Sequence, residues 1–168
     1  MIVRATLDDV PALNKLVNSA YRGESSKKGW TSEADLLGGV RTNEEGLTET
    51  INKSDTIILK YTEDQEVIGC VMLVEQENQV YLGMLTVSPD LQGKGIGKKL
   101  LEAAEVTTKE LGKSKIGMTV ISLRKELIEY YQRYGYVPTG EKKPFPMNDP
   151  NFGEPKQFLE FIVMEKII

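Results

Sequence analysis

The amino-acid sequence predicts one domain, residues 1–168, of the mixed α/β or α+β class, in which a single twisted sheet of about seven strands is flanked by helices. Apolar residues recur at helical spacing in the first fifty residues and again after Ile96. Between these parts, three β-rich runs follow one another across short polar turns, which predicts a mostly antiparallel sheet. A chain of 168 residues with 40% hydrophobic residues can bury a sizeable core.

The N-terminal third predicts a short strand and three helices. Thr6 and Asp9 have the spacing of a capping box, and apolar residues then recur at helical spacing up to Tyr21. A polar loop follows and ends at the only tryptophan, Trp30. The predicted elements are a strand at residues 2–5, a helix that starts at this box and runs to Tyr21, a helix at 31–37 that is capped by Thr31 or Ser32 and stopped by Gly38 and Gly39, and a helix at 42–52.

The rest of the chain predicts the sheet and two further helices. Gly112 and Gly135 follow helical patterns directly and are expected to end them. The run at 158–164 is nearly all apolar, as in a strand that is covered on both faces. The predicted strands are residues 56–61, 67–74, 80–87, 115–121, 136–137 and 158–164, the helices are 96–111 and 124–134, and a Pro-rich loop covers 141–155.

Composition excludes several classes of function. The chain contains no histidine, which rules out Ser-His-Asp hydrolases, His-paired cysteine nucleophiles and His-ligated zinc sites. A net charge of −4 argues against a general nucleic-acid binder. The single cysteine, Cys70, lies in an apolar run and fits a buried thiol in a reducing compartment. No signal-type segment or membrane-length apolar run is present, so we expect a soluble, cytoplasmic protein without a metal.

A glycine-rich turn follows the strand at 80–87. Gly93, Gly95 and Gly97 occupy alternate positions just before a predicted helix, so backbone N–H groups and the positive end of the helix dipole can meet an anion. Lys94 and Lys98 add positive charge. The spacing fits neither the dinucleotide fingerprint nor a Walker loop, because the third glycine and the Ser/Thr that these motifs require are absent.

This turn resembles the signature of a known family. The segment Gln92-Gly-Lys-Gly-Ile-Gly97 is similar to the Gln/Arg-x-x-Gly-x-Gly/Ala motif of the GCN5-related N-acetyltransferases (GNAT). The segment Tyr130-Tyr-Gln-Arg-Tyr-Gly-Tyr-Val137 resembles a second, late motif of the family, and the order of predicted elements is similar over nearly the whole chain. The resemblance implies a GNAT-like fold whose sheet is splayed between its fourth and fifth strands, 80–87 and 115–121.

The resemblance further implies acetyl-CoA as the acyl donor. Its pyrophosphate would lie against the backbone of the glycine turn, and its pantetheine arm would pair with the strand before the turn as an added strand does. A main-chain N–H near Leu85 would polarise the thioester carbonyl. Arg124 stands where the family often has an asparagine that contacts the donor; it could reach a phosphate instead, and an exposed arginine at the start of the helix is the alternative. The implied donor-binding residues are Leu85, Thr86, Val87, Gln92, Gly93, Lys94, Gly95, Ile96, Gly97, Lys98 and Arg124.

The implied reaction is direct attack of an amine on the thioester. Tyr131 occupies the position where the family often carries a tyrosine that protonates the leaving thiolate, although an inward core tyrosine is the alternative. Some members carry a glutamate base on the fourth or fifth strand, but the corresponding positions fall near Tyr81 and Thr119, and neither residue can serve. The general base is therefore not identified, and other acyl chains than acetyl remain open.

The amine acceptor is expected among the least regular segments. In this fold the first helices usually admit the substrate, and carboxylates there fit a cationic amine. The candidates are Tyr21, Glu24, Trp30, Glu33 and Asp35, for each of which an ordinary solvated or packed side chain is the alternative. The loop at 141–155 fits either a lid or a packed surface loop.

Two other functions remain open at this stage. A catalytically idle acyl-CoA-binding module is favoured by the missing strand carboxylate, and a plain phosphate-binding or regulatory domain is a weaker third reading. A homodimer is also open, because dimers are common in the family.

Overall fold

A seven-stranded mixed sheet organises the computed structural model, which describes residues 1–21, 37–38, 42–147 and 154–168. Only β4 and β5 pair in parallel, and every other pair in this sheet is antiparallel. The spatial order is β1-β2-β3-β4-β5-β7-β6, which confirms the predicted fold class. The strands are β1 Ile2–Arg4, β2 Thr56–Glu63, β3 Glu66–Glu75, β4 Val80–Val87, β5 Lys115–Ile121, β6 Val137–Pro144 and β7 Glu160–Ile167.

Four α-helices lie within the described residues, and they pack on both faces of the sheet. They are α1 Val10–Tyr21, α2 Glu44–Asn52, α3 Ile96–Glu110 and α4 Lys125–Arg133. Short 3-10 turns at Leu7–Asp9 and Pro89–Leu91 precede α1 and the glycine turn. In the part of the chain described here, no helix is both long and apolar enough to cross a membrane.

The core consists of two main clusters separated by the sheet. Strand alternation sends Ile58 and Cys70 toward α1 and α2, while Leu59 and Val71 face the opposite cluster, to which α3 and α4 contribute. Gly69 allows α3 to approach closely, since a Cβ there would lie 3.0 Å from Leu100 Cδ1. The two helices that carry the glycine turn and Tyr131 are therefore held on one face of the sheet.

The first two helices start at polar caps. The Thr6 N–H donates to Asp9 Oδ2 at 2.8 Å, as the capping-box spacing predicts. The cap of α2 is Asn43, whose Oδ1 accepts from the Gly46 N–H at 2.7 Å. The helix itself begins at Glu44, two residues after the predicted start at Thr42.

Sequence and structure differ most near the C-terminus. Part of the predicted loop belongs to β6, an edge strand in which all eight residues are exposed. Edge strands tolerate Pro138 and Pro144, because the missing N–H can face solvent. Strand β7 begins two residues later than predicted, and Phe158 before it is 74% exposed.

Two residues at the end of the predicted helix 31–37 and two at the end of the predicted loop 141–155 form a separate short ladder. Leu37 and Gly38 pair with Pro155 and Glu154 in antiparallel register. Leu37 is therefore a strand residue rather than the end of a helix, and residues 31–36 lie outside the described residues.

Candidate active site

Strands β4 and β5 separate soon after they meet. Their parallel register contains two residue pairs, Val80–Ile116 and Tyr81–Gly117, although both strands continue well beyond them. A cavity of about 560 Å³ occupies the gap, and we call it the slot. The slot is lined by residues 81–85 of β4, 118–121 of β5, 143–146, Tyr21, Met72, Arg124, Leu127, Tyr131 and Phe161.

The wall of the slot on β4 contains a β-bulge. The register with β3 passes from Cys70–Thr86 directly to Met72–Gly83, and Met84 adopts a φ of +53°. Positive φ is unusual for a residue with a Cβ, so the surroundings must stabilise this conformation. The Thr86 hydroxyl donates to the Met84 carbonyl at 2.9 Å, and the buried Tyr21 hydroxyl donates to the Leu85 carbonyl. The bulge therefore has a fixed geometry near Leu85, where the family resemblance predicts an N–H that polarises the thioester carbonyl.

Tyr131 reaches the slot from α4. Its side chain is 6% exposed and packs edge-on against Tyr136, with ring centroids 5.8 Å apart. Burial raises the pKa of Tyr131 well above its ordinary value of 10, the nearby Tyr21 hydroxyl raises it further, and Arg124 acts in the opposite direction. The phenol therefore remains protonated at neutral pH and can only donate its proton.

Tyr81 and Thr119 bridge the narrow end of the slot. Their hydroxyls lie 2.8 Å apart; Tyr81 belongs to the last residue pair of β4 and β5, and Thr119 lies two residues past its partner, Gly117. These are the positions where the family resemblance locates a glutamate base in other proteins. In this protein the two positions carry a pair of hydrogen-bonded hydroxyl groups. None of the described residues that line the slot is acidic.

The glycine turn lies at the end of β4 and leads into α3. Gly93 and Gly95 have φ values of +87° and +80°, and a Cβ at either would meet no atom within 4 Å. Gly95 is the N-cap of α3, and its carbonyl accepts the first helical bond, from Lys99 N–H at 3.1 Å. The N–H groups of the first helical turn precede that bond, so they have no acceptor within the helix and can donate to an anion.

A second cavity, of about 620 Å³, lies over this turn, and we call it the turn cavity. One wall is the turn itself, and the other is the face of α4 opposite Tyr131. The Tyr130 hydroxyl lies so close to Gly97 that a Cβ there would collide with it. The charged side chains that line the turn cavity are Lys98, Arg133, Glu126 and Glu129.

Most of the predicted site residues that the structure describes line one of these two cavities. Lys94 is exposed, and Thr86 is fully buried beneath the bulge. Glu24, Trp30, Glu33 and Asp35 lie outside the described residues. The slot receives Tyr21, Leu85, Arg124 and Tyr131, and the turn cavity receives Val87, Gln92, Gly93, Gly95, Ile96, Gly97 and Lys98.

Sequence reasoning missed two groups of lining residues. Glu126, Glu129, Tyr130, Arg133 and Tyr134 recur at i, i+3 and i+4 spacing, so one face of α4 was visible in the sequence as a candidate wall. Lys143 and Phe145 fall in the segment at 141–155, which the sequence predicts as either a lid or a packed surface loop, and they line the slot. Within the described residues, no group of three or more His, Cys, Asp or Glu side chains is positioned to hold a metal ion.

Solved structures share this fold. The PaiA N-acetyltransferase from Thermoplasma acidophilum, solved in complex with coenzyme A, is 21% identical with a TM-score of 0.71, and the match covers 100% of this chain and 98% of that one. The ribosomal-protein-S18-alanine N-acetyltransferase from Escherichia coli is 15% identical with a TM-score of 0.73, and the match covers 100% and 93%.

Sequence comparison gives the family. A mycothiol acetyltransferase from Propionibacterium freudenreichii subsp. shermanii is 36% identical over 58 residues, which cover 34% of this chain and only 18% of that protein. The acetyltransferase (GNAT) domain matches residues 34–146, more than half of the chain. With this match, and with a fold shared with solved acetyltransferases, the chain belongs to the GNAT acetyltransferase family.

Proposed function

We propose that the protein transfers an acetyl group from acetyl-CoA to a primary amine of a small molecule or peptide, with Tyr131 as the general acid. The observation that carries this proposal is that both cavities lie against the same strand, β4. Leu85 lines the slot, and Val87, two residues further along the same strand, lines the turn cavity. A long donor with phosphates at one end and a thioester at the other would reach both cavities by running along β4.

The residues of the turn cavity suit the phosphate end of such a donor. Gly93 and Gly95 leave the backbone open to close approach, and the first turn of α3 supplies N–H donors. Lys98 and Arg133 contribute positive charge beside Glu126 and Glu129. The coenzyme A that was crystallised with the Thermoplasma acidophilum protein supports the same ligand class for this fold.

The slot suits the thioester end. Acetyl-CoA, when bound, supplies an acetyl group that is activated by its bond to sulfur. The main-chain N–H near Leu85, held in the bulge, is our candidate for polarising the carbonyl oxygen. Tyr21 fixes the carbonyl of the same residue, so its role is to position this segment.

In the transfer, a C–N bond to the acceptor forms as the C–S bond of the thioester breaks. The sulfur takes up a proton from Tyr131, and the amine nitrogen loses one proton to water and thus to solvent. Because no carboxylate is found among the described slot residues, an acceptor that binds as an ammonium ion must first lose a proton to water, and only the neutral amine attacks. Tyr131 then recovers a proton from solvent when the products leave.

The decisive experiment measures thiol release from acetyl-CoA across a panel of amines, together with acetyl-CoA binding by calorimetry. We expect binding, and acceptor-dependent release with at least one class of amine. An intact protein that binds no acetyl-CoA would contradict the proposal.

An idle acyl-CoA-binding module is the second candidate, and the absence of a described acidic residue in the slot favours it. Such a module binds acetyl-CoA but releases no thiol with any acceptor. Acceptor-dependent release, lost in the Tyr131→Phe variant, would exclude it.

A further inference from the structure

The charged side chains of the slot have one sign, although the protein as a whole is acidic. The chain carries 25 Asp and Glu against 21 Lys and Arg, yet the only charged residues among those that line the slot, within the described parts of the chain, are Arg124 and Lys143. Neither lines the turn cavity, where the donor phosphates are proposed to bind. The described side chains of the slot therefore carry positive charge that the donor phosphates are not proposed to use.

Both cations flank the same end of the slot. Ile121 at the end of β5 pairs with Phe161 of β7, which in turn pairs with Lys143 of β6. Strand spacing places the Lys143 and Ile121 backbones about 10 Å apart across this row. Arg124 lies three residues after Ile121, in the turn that follows β5, and its N–H donates to the Ile121 carbonyl at 2.9 Å.

The remaining surface at this end is apolar. Phe145 and Phe161 line it, and their rings lie 5.1 Å apart. Aromatic rings contact hydrocarbon well and hydrogen-bond poorly, so they favour an apolar body over a polyhydroxylated one.

We propose that the amine acceptor carries a carboxylate on an apolar body, as hydrophobic amino acids do, and that Arg124 and Lys143 bind this carboxylate. The proposal rests on the proposed function. An arginine has five N–H donors, so Arg124 can bind a carboxylate in addition to its other interactions. A polyamine or an aminoglycoside would bring further positive charge toward these two cations and is disfavoured.

The same two charges also help the amine to react. A neighbouring positive charge and an apolar surrounding both disfavour an ammonium ion relative to a neutral amine. A bound acceptor is then more easily deprotonated by water, which reduces the need for a carboxylate base, a group not found among the described residues of the slot. A substrate carboxylate placed between the cations offsets part of this effect while it fixes the orientation of the amine.

The test compares matched acceptors with the full-length protein and acetyl-CoA. Leucine, methionine and phenylalanine are each measured beside the corresponding decarboxylated amine and the corresponding carboxamide, with spermidine as the polycationic probe. Values of kcat/KM are corrected for the fraction of neutral amine. We expect the carboxylates to be preferred by at least about tenfold.

Two variants locate the preference. Lys143→Gln and Arg124→Gln should each reduce the ratio of kcat/KM between carboxylate and decarboxylated amine by about fivefold or more. Lys142→Gln is the matched control, because Lys142 is next to Lys143 on β6 but does not line the slot, and its Nζ lies 3.5 Å from Glu160 Oε1. That variant should keep the wild-type ratio. Melting temperatures of all three variants establish that they are folded.

The outcomes separate the two proposals. Equal or better turnover of decarboxylated amines or spermidine would overturn the acceptor class and leave the acetyltransferase function intact. An unchanged ratio in both Lys143→Gln and Arg124→Gln would overturn the assigned carboxylate site. An absence of acetyl-CoA binding would overturn the proposed function and this inference with it.

Discussion

The three glycines of the turn are required for two different reasons. Gly93 and Gly95 adopt positive φ and border open space, so they serve backbone conformation and ligand access. Gly97 lies inside α3 with an ordinary helical backbone, and it is needed because the Tyr130 hydroxyl occupies the place of its side chain. The glycine motif and the late tyrosine motif are therefore in direct contact, which their separation in sequence does not reveal.

This contact predicts a specific pair of substitutions. Gly97→Ala should lower the free energy of unfolding by about 1–3 kcal/mol, because the new methyl group collides with the Tyr130 hydroxyl. Adding Tyr130→Phe should restore most of the loss, since the nearest remaining ring atom lies 3.6 Å from the new Cβ. Urea unfolding of the two single variants and the double variant measures the coupling. Additive effects would show that the contact does not limit position 97.

Tyr131 leads to a prediction about catalysis. Removing its hydroxyl in Tyr131→Phe should lower kcat by about a hundredfold or more, as expected for loss of a general acid, while the Kd for acetyl-CoA changes little. Tyr134→Phe is the control, because Tyr134 lies on the same helix but lines the turn cavity. Comparable turnover in wild type and Tyr131→Phe would refute the assignment.

The pH profile of the wild-type enzyme tests the same role. Because burial raises the pKa of Tyr131, with the neighbouring Tyr21, Tyr130 and Tyr136 acting in the same direction, the donor stays protonated up to the ordinary tyrosine pKa of 10 and beyond. Turnover should therefore rise with pH as the amine loses its proton, and loss of the Tyr131 proton should not reduce it below pH 10.

Among the elements, the start of α1 depends most clearly on one side chain. Asp9 accepts from the Thr6 N–H through Oδ2 and from Lys60 Nζ of β2 through Oδ1, at 2.8 and 2.7 Å. Burial alone would raise the pKa of Asp9, but these bonds outweigh it, and the pKa lies below its ordinary value of 3.8. The carboxylate thus joins the cap of α1 to the sheet.

The lowered pKa fixes the sign of the pH dependence. A carboxyl whose pKa is lower in the folded state stabilises the fold above the ordinary pKa and loses that contribution as the pH falls through the folded-state pKa. Asp9→Asn should cost about 1–2 kcal/mol at about pH 7, and the difference from wild type should shrink on acidification. Urea unfolding across this range, with exposed Asp8→Asn as the control, checks it. A cost that is independent of pH would contradict the ion-pair explanation.

The sequence predicts best those elements in which the spacing of apolar residues marks one buried face. Strands β4 and β5 have the predicted bounds, and α3 and α4 end near Gly112 and Gly135 as expected. In place of β6 the sequence predicts only a two-residue strand at 136–137, because an exposed edge strand with two prolines carries no apolar alternation. The Met84 bulge and the Tyr21–Leu85 bond depend on contacts between distant segments, so no local pattern indicates them.

At the scale of the whole molecule, the sheet consists of two parts with a narrow connection. Strands β1–β4 form one part, and β5, β7 and β6 form the other. Two parallel residue pairs and the Tyr81–Thr119 hydrogen bond join them directly at one end, and α3 links them in sequence. At the open end, where the slot lies, a bound donor would contact both parts.

This arrangement predicts strong stabilisation by the donor. Acetyl-CoA at about 100 times its Kd should add about 2.7 kcal/mol to the free energy of unfolding, which for a chain of this size raises Tm by roughly 5–10 °C. Inorganic phosphate at the same concentration lacks the arm that enters the slot and should have a much smaller effect. Hydrogen exchange should show protection gained in β4 and β5 beyond their last shared pair, Tyr81–Gly117, as well as at the glycine turn. Equal stabilisation by phosphate, with protection at the turn alone, would mean that the turn binds anions without a ligand in the slot.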